Sequence, residues 1–246
     1  MKKILSYCNL FALFFGVAGF GLRYWLVTDG PDSKGLLQSL HIAGILLWIV
    51  TAAALIFPLI FFRGIKPAGR YGKLFPASLP AAAGMLAAAM GMGVTGIATW
   101  GIDTTPLTRL CAILGVVSAL CLVVAAVCRA KGKRPTYLLF TALTIFFMVY
   151  LINQYRVWSA EPMLNNYIFP LMALVSLMFT SYQQATADAG VGDLRTYLLY
   201  NLASAYFCCI AIPGSSNWLM YFTMLLYYLT NLFTIQVPNR VSTQKA

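Results

Sequence analysis

The residue types that carry most protein chemistry are sparse in this sequence. It has one histidine, His41, and six cysteines, none of them spaced as C-x-x-C. Cys208 and Cys209 are adjacent, but neighbouring residues on a helix point about 100° apart and do not bridge readily. No phosphate-binding G-x-x-x-x-G-K-[ST] loop occurs. These patterns predict no metal, no other cofactor and no ATP hydrolysis by this chain.

Arginine and amide side chains instead form a group that could bind a small polar molecule. Its members, with one acid and the histidine, map to one end of the predicted helices: Arg23, His41, Arg109, Asn153, Gln154, Arg156, Glu161, Asn165 and Asn166. A guanidinium group offers paired donors that match a carboxylate or a phosphate, and Pro170 displaces the carbonyl of Asn166 from its helical hydrogen bond. The group predicts an outward-facing vestibule for an anionic or zwitterionic solute. The alternative is that the arginines snorkel to the headgroups or pair with loop acids.

A second polar group follows the last two predicted helices as stripes at helical spacing. One stripe consists of Tyr197, Asn201, Ser204 and Cys208, and the other of Asn217, Tyr221, Met224, Tyr228 and Asn231. Each stripe lies on one face of its helix. Buried polar groups in lipid must find partners, so the stripes either pack against one another or line a wet cavity. In the second case Asn201, Tyr228 and Asn231 are candidate ligands of the solute.

The elements that position these residues are apolar helices. Residues of the AVILMFWYC set make up 61% of the 246-residue chain and charged residues only 9%, with a mean hydropathy of +0.79; a soluble domain carries about 25% charged residues. A membrane-spanning helix needs about 20 apolar residues. Eight such runs predict an all-α bundle that forms one membrane domain: 4–28, 37–62, 76–100, 106–128, 136–158, 163–184, 196–213 and 216–236.

The distribution of charge predicts the orientation of the bundle. Of the 17 lysines and arginines, thirteen fall on one side of the eight runs: Lys2, Lys3, Arg63, Lys66, Arg70, Lys73, Arg129, Lys131, Lys133, Arg134, Arg195, Arg240 and Lys245. By the positive-inside rule this side is cytoplasmic, so both termini are cytoplasmic and the membrane is the plasma membrane. The basic clusters, and with them the net charge of +11, therefore predict contact with anionic lipid headgroups and not with nucleic acid.

Small residues at four-residue spacing predict where helices approach closely. They are Gly84 with Ala88, Ala87 with Gly91 and Thr95, and Ala12 with Gly16. Such faces are typical of a central helix in a monomeric bundle or of a surface that docks another subunit. Similar Arg, Tyr and Trp clusters at offsets of 133 and 125 residues also suggest a parallel four-plus-four repeat of about 1–130 and 131–246.

Three functions are compatible with these residues. The one we favour is binding or transport of a small anionic or zwitterionic solute from the outer face. The second is a non-catalytic subunit that joins copies of itself or other proteins through its small-residue faces. The third, an integral membrane enzyme on a lipid-like substrate, would depend on His41 with Glu161 and is disfavoured by the scarcity of acid and base pairs.

Overall fold

The computed structural model describes residues 2–30, 41–64, 76–102, 105–159 and 164–235. Within these ranges the chain is all-helical, without strands. The helices are α1 (Lys2–Asp29), α2 (Ile42–Phe61), α3 (Leu79–Ile102), α4 (Pro106–Ala130), α5 (Tyr137–Trp158), α6 (Leu164–Ala189), α7 (Leu194–Ala211) and α8 (Trp218–Thr234), with a short 3-10 turn over Phe62–Gly64. The all-α prediction is confirmed at this level.

Local capping chemistry sets several of the helix ends. Thr105 caps α4, with Pro106 in the first turn, where its missing N–H costs nothing. Asp193 caps α7 by accepting from the backbone N–H of Arg195 at 3.2 Å. Gly190 has a φ of +83°, a left-handed conformation that only glycine adopts easily, and it ends α6. The connection between α6 and α7, residues 190–193, is thus a turn with a glycine at one end and a capping aspartate at the other.

The helices surround α7 and α8. α3 packs on α4 and α8, α5 lies between α4 and α6, α6 packs on α7, and α1 packs on α7 and α2. Twelve of the 18 residues of α7 are buried, whereas α2 exposes most of its apolar side chains. α7 and α8 are therefore the centre of the bundle, and α2 lies at its edge.

Five helices are long and apolar enough to cross a membrane: those over residues 10–29, 42–61, 79–101, 106–130 and 137–158, among the residues described. Outward-facing apolar side chains such as Phe14, Ile60 and Ile97 are at least two-thirds exposed. Exposed apolar surface on this scale would be unfavourable in water but is expected in lipid. The chain is therefore a membrane protein with a helical bundle.

The small-residue faces are filled from within the chain. A Cβ added to Gly16 would lie 2.9 Å from the sulfur of Cys209 on α7, and one added to Gly91 would lie 2.9 Å from the Cβ of Thr223 on α8. Gly96 and Gly115 bring α3 and α4 equally close, since a Cβ on Gly115 would lie 3.2 Å from the Cα of Gly96. These glycines thus pack helices of one bundle together.

Several sequence predictions fall on residues outside the described ranges, and the charges that mark topology are prominent among them. They are Asp32, Lys34, Lys66, Arg70, Lys73, Asp103, Glu161, Arg240 and Lys245. Asn165 and Asn166 belong to the backbone of α6, but their side chains are also outside the description.

Candidate functional site: a buried polar cluster around Arg129

Both polar stripes face the interior of the bundle. Tyr197, Asn201 and Ser204 of α7 and Tyr228 and Asn231 of α8 are each no more than 1% exposed. The stripes find partners mainly on α6 rather than on each other. The hydroxyls of Ser204 and Thr180 lie 2.7 Å apart, and those of Tyr228 and Ser181 lie 3.4 Å apart. α6, α7 and α8 are thus joined by side-chain hydrogen bonds in a region otherwise filled with apolar groups.

At one end of this interface the polar residues converge on a buried arginine. Arg129, on the last turn of α4, is only 3% exposed. It interacts electrostatically with Tyr197 of α7, Tyr227 of α8 and Asp188 of α6. We call the following set the Arg129 cluster: Arg129, Gln184, Asp188, Tyr197, Asn201, Tyr227 and Asn231. Four helices therefore contribute to one site.

Several polar atoms of the Arg129 cluster have no hydrogen-bond partner among the described residues. They include both amide atoms of Gln184, both amide atoms of Asn231 and the hydroxyl of Tyr227. Gln184 lies beside Asp188, and Asn231 beside Tyr227, but neither pair has hydrogen-bond geometry. Leaving a buried polar group unsatisfied costs about 1–3 kcal/mol. Such groups are typically satisfied by water or by a polar ligand.

The electrostatic balance of the cluster depends on Asp188, which lies beyond the predicted sixth span. Burial raises the pKa of this carboxyl to about 6, and the charges of Arg129 and Arg134 oppose the rise. The fixed positive charge of Arg129 is therefore balanced by a carboxylate that can take up a proton close to neutral pH.

Further polar groups continue from the cluster toward the other end of α7 and α8. The hydroxyl of Thr51 lies 2.8 Å from that of Tyr206, and the Tyr221 hydroxyl donates to the carbonyl of Pro170 at 3.4 Å. Closer to that end, Tyr150 interacts with Gln154 and Asn217. The buried polar groups thus extend along most of the length of α7 and α8.

The predicted outer group divides into interior and surface residues. Arg23 is 2% exposed, and its guanidinium carbon lies 5.3 Å from the centroid of the Phe169 ring. Asn153 is also buried and accepts a hydrogen bond from Thr108 at 3.2 Å. Gln154 is half-buried, whereas Arg109 and Arg156 are exposed. Only one of the three arginines of the predicted vestibule therefore lies inside the bundle.

His41 has a structural position at the start of α2. Its Nδ1 accepts a hydrogen bond from the backbone N–H of Ala43 at 3.3 Å, and its ring lies edge-on to Trp25. In the part of the chain that the structure describes, no three His, Cys, Asp or Glu side chains lie close enough together to hold a metal ion.

Four members of the cluster lie outside the two stripes predicted from the sequence: Arg129, Gln184, Asp188 and Tyr227. The sequence predicts Arg129 only as a cytoplasmic charge, and the predicted sixth helix ends at 184, before Asp188. A usable signal exists in each helix. The buried positions of α4 continue through Ala125 and Ala126 to Arg129, and Ser181, Gln184 and Asp188 share one face of α6 at helical spacing.

The fold and the cluster define an α-helical membrane protein with polar groups in the interior of its bundle. Comparison of the chain with protein-family models, with characterised proteins and with solved structures finds no match. The site itself must therefore carry the functional argument.

Proposed function

We propose that the chain crosses the plasma membrane eight times, with both termini in the cytoplasm. Five helices have the required length and apolarity. α6 and α7 are more polar, and α8 has only 17 residues. Their polar side chains Thr180, Asn201 and Asn231 are buried in the bundle, so these helices can lie in lipid as well. The exposed basic residues Arg63, Lys131, Lys133 and Arg134 lie on the side that the positive-inside rule assigns to the cytoplasm.

The orientation can be tested with single cysteines in a cysteine-free variant. We expect Asp32→Cys to react with a membrane-impermeant maleimide in intact cells, and Ala68→Cys and Lys131→Cys to react only after the cells are opened. The reason is that position 32 belongs to the predicted outer side of the bundle, where acids and bases balance, and positions 68 and 131 belong to the basic side. Labelling of position 68 or 131 in intact cells would show that the orientation is wrong.

We further propose that the Arg129 cluster binds a small anionic or zwitterionic solute, which the protein carries through the bundle. The observation that supports this proposal is the convergence of a buried guanidinium with amide groups that lack hydrogen-bond partners among the described residues. A guanidinium offers paired donors to a carboxylate or phosphate. Asp188 matches the cationic part of a zwitterion, or takes up a proton when the solute is an anion.

The polar groups between the cluster and Arg23 support passage of the solute along α7 and α8. In lipid, such groups face the bundle interior and mark substrate pathways in transport proteins. On this proposal the outer group forms the opposite entrance. Arg23, Asn153 and Gln154 lie inside it, and His41, Arg109, Arg156 and Asn166 are placed at its rim.

The two alternative functions have less support among the described residues. The small-residue faces that would dock another subunit are occupied by helices of the same chain. For the enzyme, His41 caps α2, and Glu161 lies outside the described ranges. Neither alternative explains the unsatisfied groups around Arg129.

Solute binding can be tested by thermal stability in mild detergent. We expect at least one of phosphate, acetate, succinate and glycine betaine to raise the Tm of the purified protein, because a ligand that binds only the folded state stabilises it. Arg129→Lys should lose most of that rise, since an ammonium group cannot form the paired contact. Gln184→Leu should weaken it through loss of the amide.

The matched control is Arg134→Lys. Arg134 is exposed near the same end of α4, so this variant should show the same rise in Tm as the unmodified protein. No rise with any of the four compounds, or an equal rise in all variants, would contradict solute binding at the Arg129 cluster.

A further inference from the structure

An apolar groove opens between α1 and α2, and no residue of the Arg129 cluster lines it. It has a volume of about 970 Å³ and is lined by six side chains of α1 between Leu10 and Ala18, by three of α2 between Phe57 and Phe61, by Phe62 of the 3-10 turn and by Leu202 of α7. Its walls include stacked phenylalanines, with the Phe11 and Phe57 rings 4.7 Å apart and the Phe57 and Phe61 rings 5.8 Å apart. Every lining side chain is Leu, Phe, Val, Ala or Pro.

The groove belongs to the lipid-facing surface of the bundle. Phe14 is 70% exposed and Phe57 is 51% exposed, so the walls remain accessible from the side. The volume lies at the upper end of the range of about 300–1,000 Å³ that is typical of ligand sites. A groove of this size without polar lining suits the flexible hydrocarbon chain of a lipid.

The charge at one end of the groove indicates which lipid it would hold. Arg63 follows the last lining residue, Phe62, and is exposed. The first turn of α1, which starts at the same end, carries Lys2 and Lys3. Residues 2–28 and 41–78 contain no aspartate or glutamate, so neither segment supplies an acid to neutralise these cations. An anionic headgroup would provide the complementary charge.

We propose that the groove between α1 and α2 binds an anionic phospholipid, with its acyl chains along the phenylalanine walls and its phosphate at Arg63. Arginine suits this role because its guanidinium group can form two hydrogen bonds with one phosphate. The charge of Arg63 attracts an anionic lipid more strongly than a zwitterionic lipid, which is neutral overall. The groove shares no lining residue with the proposed solute path, and lipid binding there does not depend on solute transport.

The proposal can be tested by native mass spectrometry of the full chain in detergent. Phosphatidylglycerol or phosphatidylcholine with identical acyl chains is added, and the lipid retained by the protein is measured. We expect stronger retention of phosphatidylglycerol. Arg63→Gln should lower that retention about fivefold, as expected for loss of one cation near an anionic lipid, whereas Lys131→Gln, at an exposed residue outside the groove, should leave it unchanged.

A second pair of variants tests the position of the acyl chains. Ala18→Phe places a ring in the groove and should lower retention of both lipids. Ala53→Phe, the same change at an exposed position of α2 outside the groove, should not.

Equal retention of the two lipids by the unmodified protein would overturn the proposal, as would equal effects of Ala18→Phe and Ala53→Phe. A dimer that excludes lipid would also overturn it, because the groove would then be covered by a second copy. Since Arg63 is exposed, Arg63→Gln remains informative even if Ala18→Phe fails to fold.

Discussion

Replacing Gly91 with leucine should abolish the recovery of folded, monodisperse protein, and Gly84→Leu should have nearly the same effect. A Cβ on Gly91 would collide with the Oγ1 of Thr223, and one on Gly84 would collide with the Oγ1 of Thr230 and lie 3.2 Å from the Cα of Tyr227. Relief would require α3 to move away from α8, which is central to the bundle. The measurement is the yield and the elution profile in mild detergent.

Gly21→Leu is the matched control for these two variants. Gly21 is an exposed helical glycine on α1, and a Cβ there would have nothing within 4 Å, so leucine should fold well in lipid or detergent. Leu86→Ala, at an exposed position on α3, should also have a small effect. Similar yields from Gly91→Leu and Gly21→Leu would show that α3 does not approach α8 as closely as the structure indicates.

The helices could be predicted from the sequence because the length of an apolar run is set by the membrane. The predicted run at 136–158 corresponds to Tyr137–Trp158, and that at 106–128 corresponds to Pro106–Ala130. The largest difference among the last six helices is in α6, predicted to end at 184 but observed to end at Ala189. The last turns of α6 are more polar than a helix that faces lipid. They are stabilised by packing near Arg129 and not by contact with lipid.

The stripes on α7 and α8 were also predictable, but their partners were not. Helical spacing places Asn201 and Ser204 on one face, and that face is buried as expected. The spacing does not indicate which helix lies opposite. Ser204 pairs with Thr180 of α6, whereas Asn231 has no hydrogen-bond partner among the described residues. The sequence predicted either that the stripes pack against one another or that they line a wet cavity. At the interface Ser204 packs against α6, whereas polar side chains near Arg129 lack hydrogen-bond partners among the described residues.

The Arg129 cluster was not predicted because the positive-inside rule already accounts for an arginine at this position. An arginine near the cytoplasmic end of a helix satisfies the positive-inside rule whether it is exposed or buried. Lys131 and Arg134 are exposed as that rule assumes, but Arg129 is buried. The difference arises from tertiary structure, since Arg129 is 3% exposed and interacts with Tyr197, Tyr227 and Asp188 of three other helices. Composition and residue spacing do not indicate which side chains of different helices come into contact.

Replacing Arg129 with methionine should destabilise the protein near pH 8 and much less near pH 5. The charge of Arg129 opposes the burial that raises the pKa of Asp188 to about 6, so its removal raises that pKa further. A carboxyl with a higher pKa in the folded state stabilises that state only while protonated. Stability therefore falls as pH rises through the folded-state pKa, and it should fall further in the variant. We expect Arg129→Met to lower the free energy of unfolding by roughly 2 kcal/mol near pH 8. This is less than for a fully buried charge pair because Asp188 is half-buried.

The double variant Arg129→Met/Asp188→Asn separates the charge interaction from loss of the arginine side chain. Without the carboxyl, its stability should change little between about pH 5 and pH 8, and near pH 8 it should exceed that of Arg129→Met. Lys131→Met removes an exposed charge two residues away and should leave stability unchanged at both values. The measurement is the midpoint of SDS-induced unfolding at each pH. If Arg129→Met loses the same stability at both pH values, the charge of Arg129 does not act through Asp188.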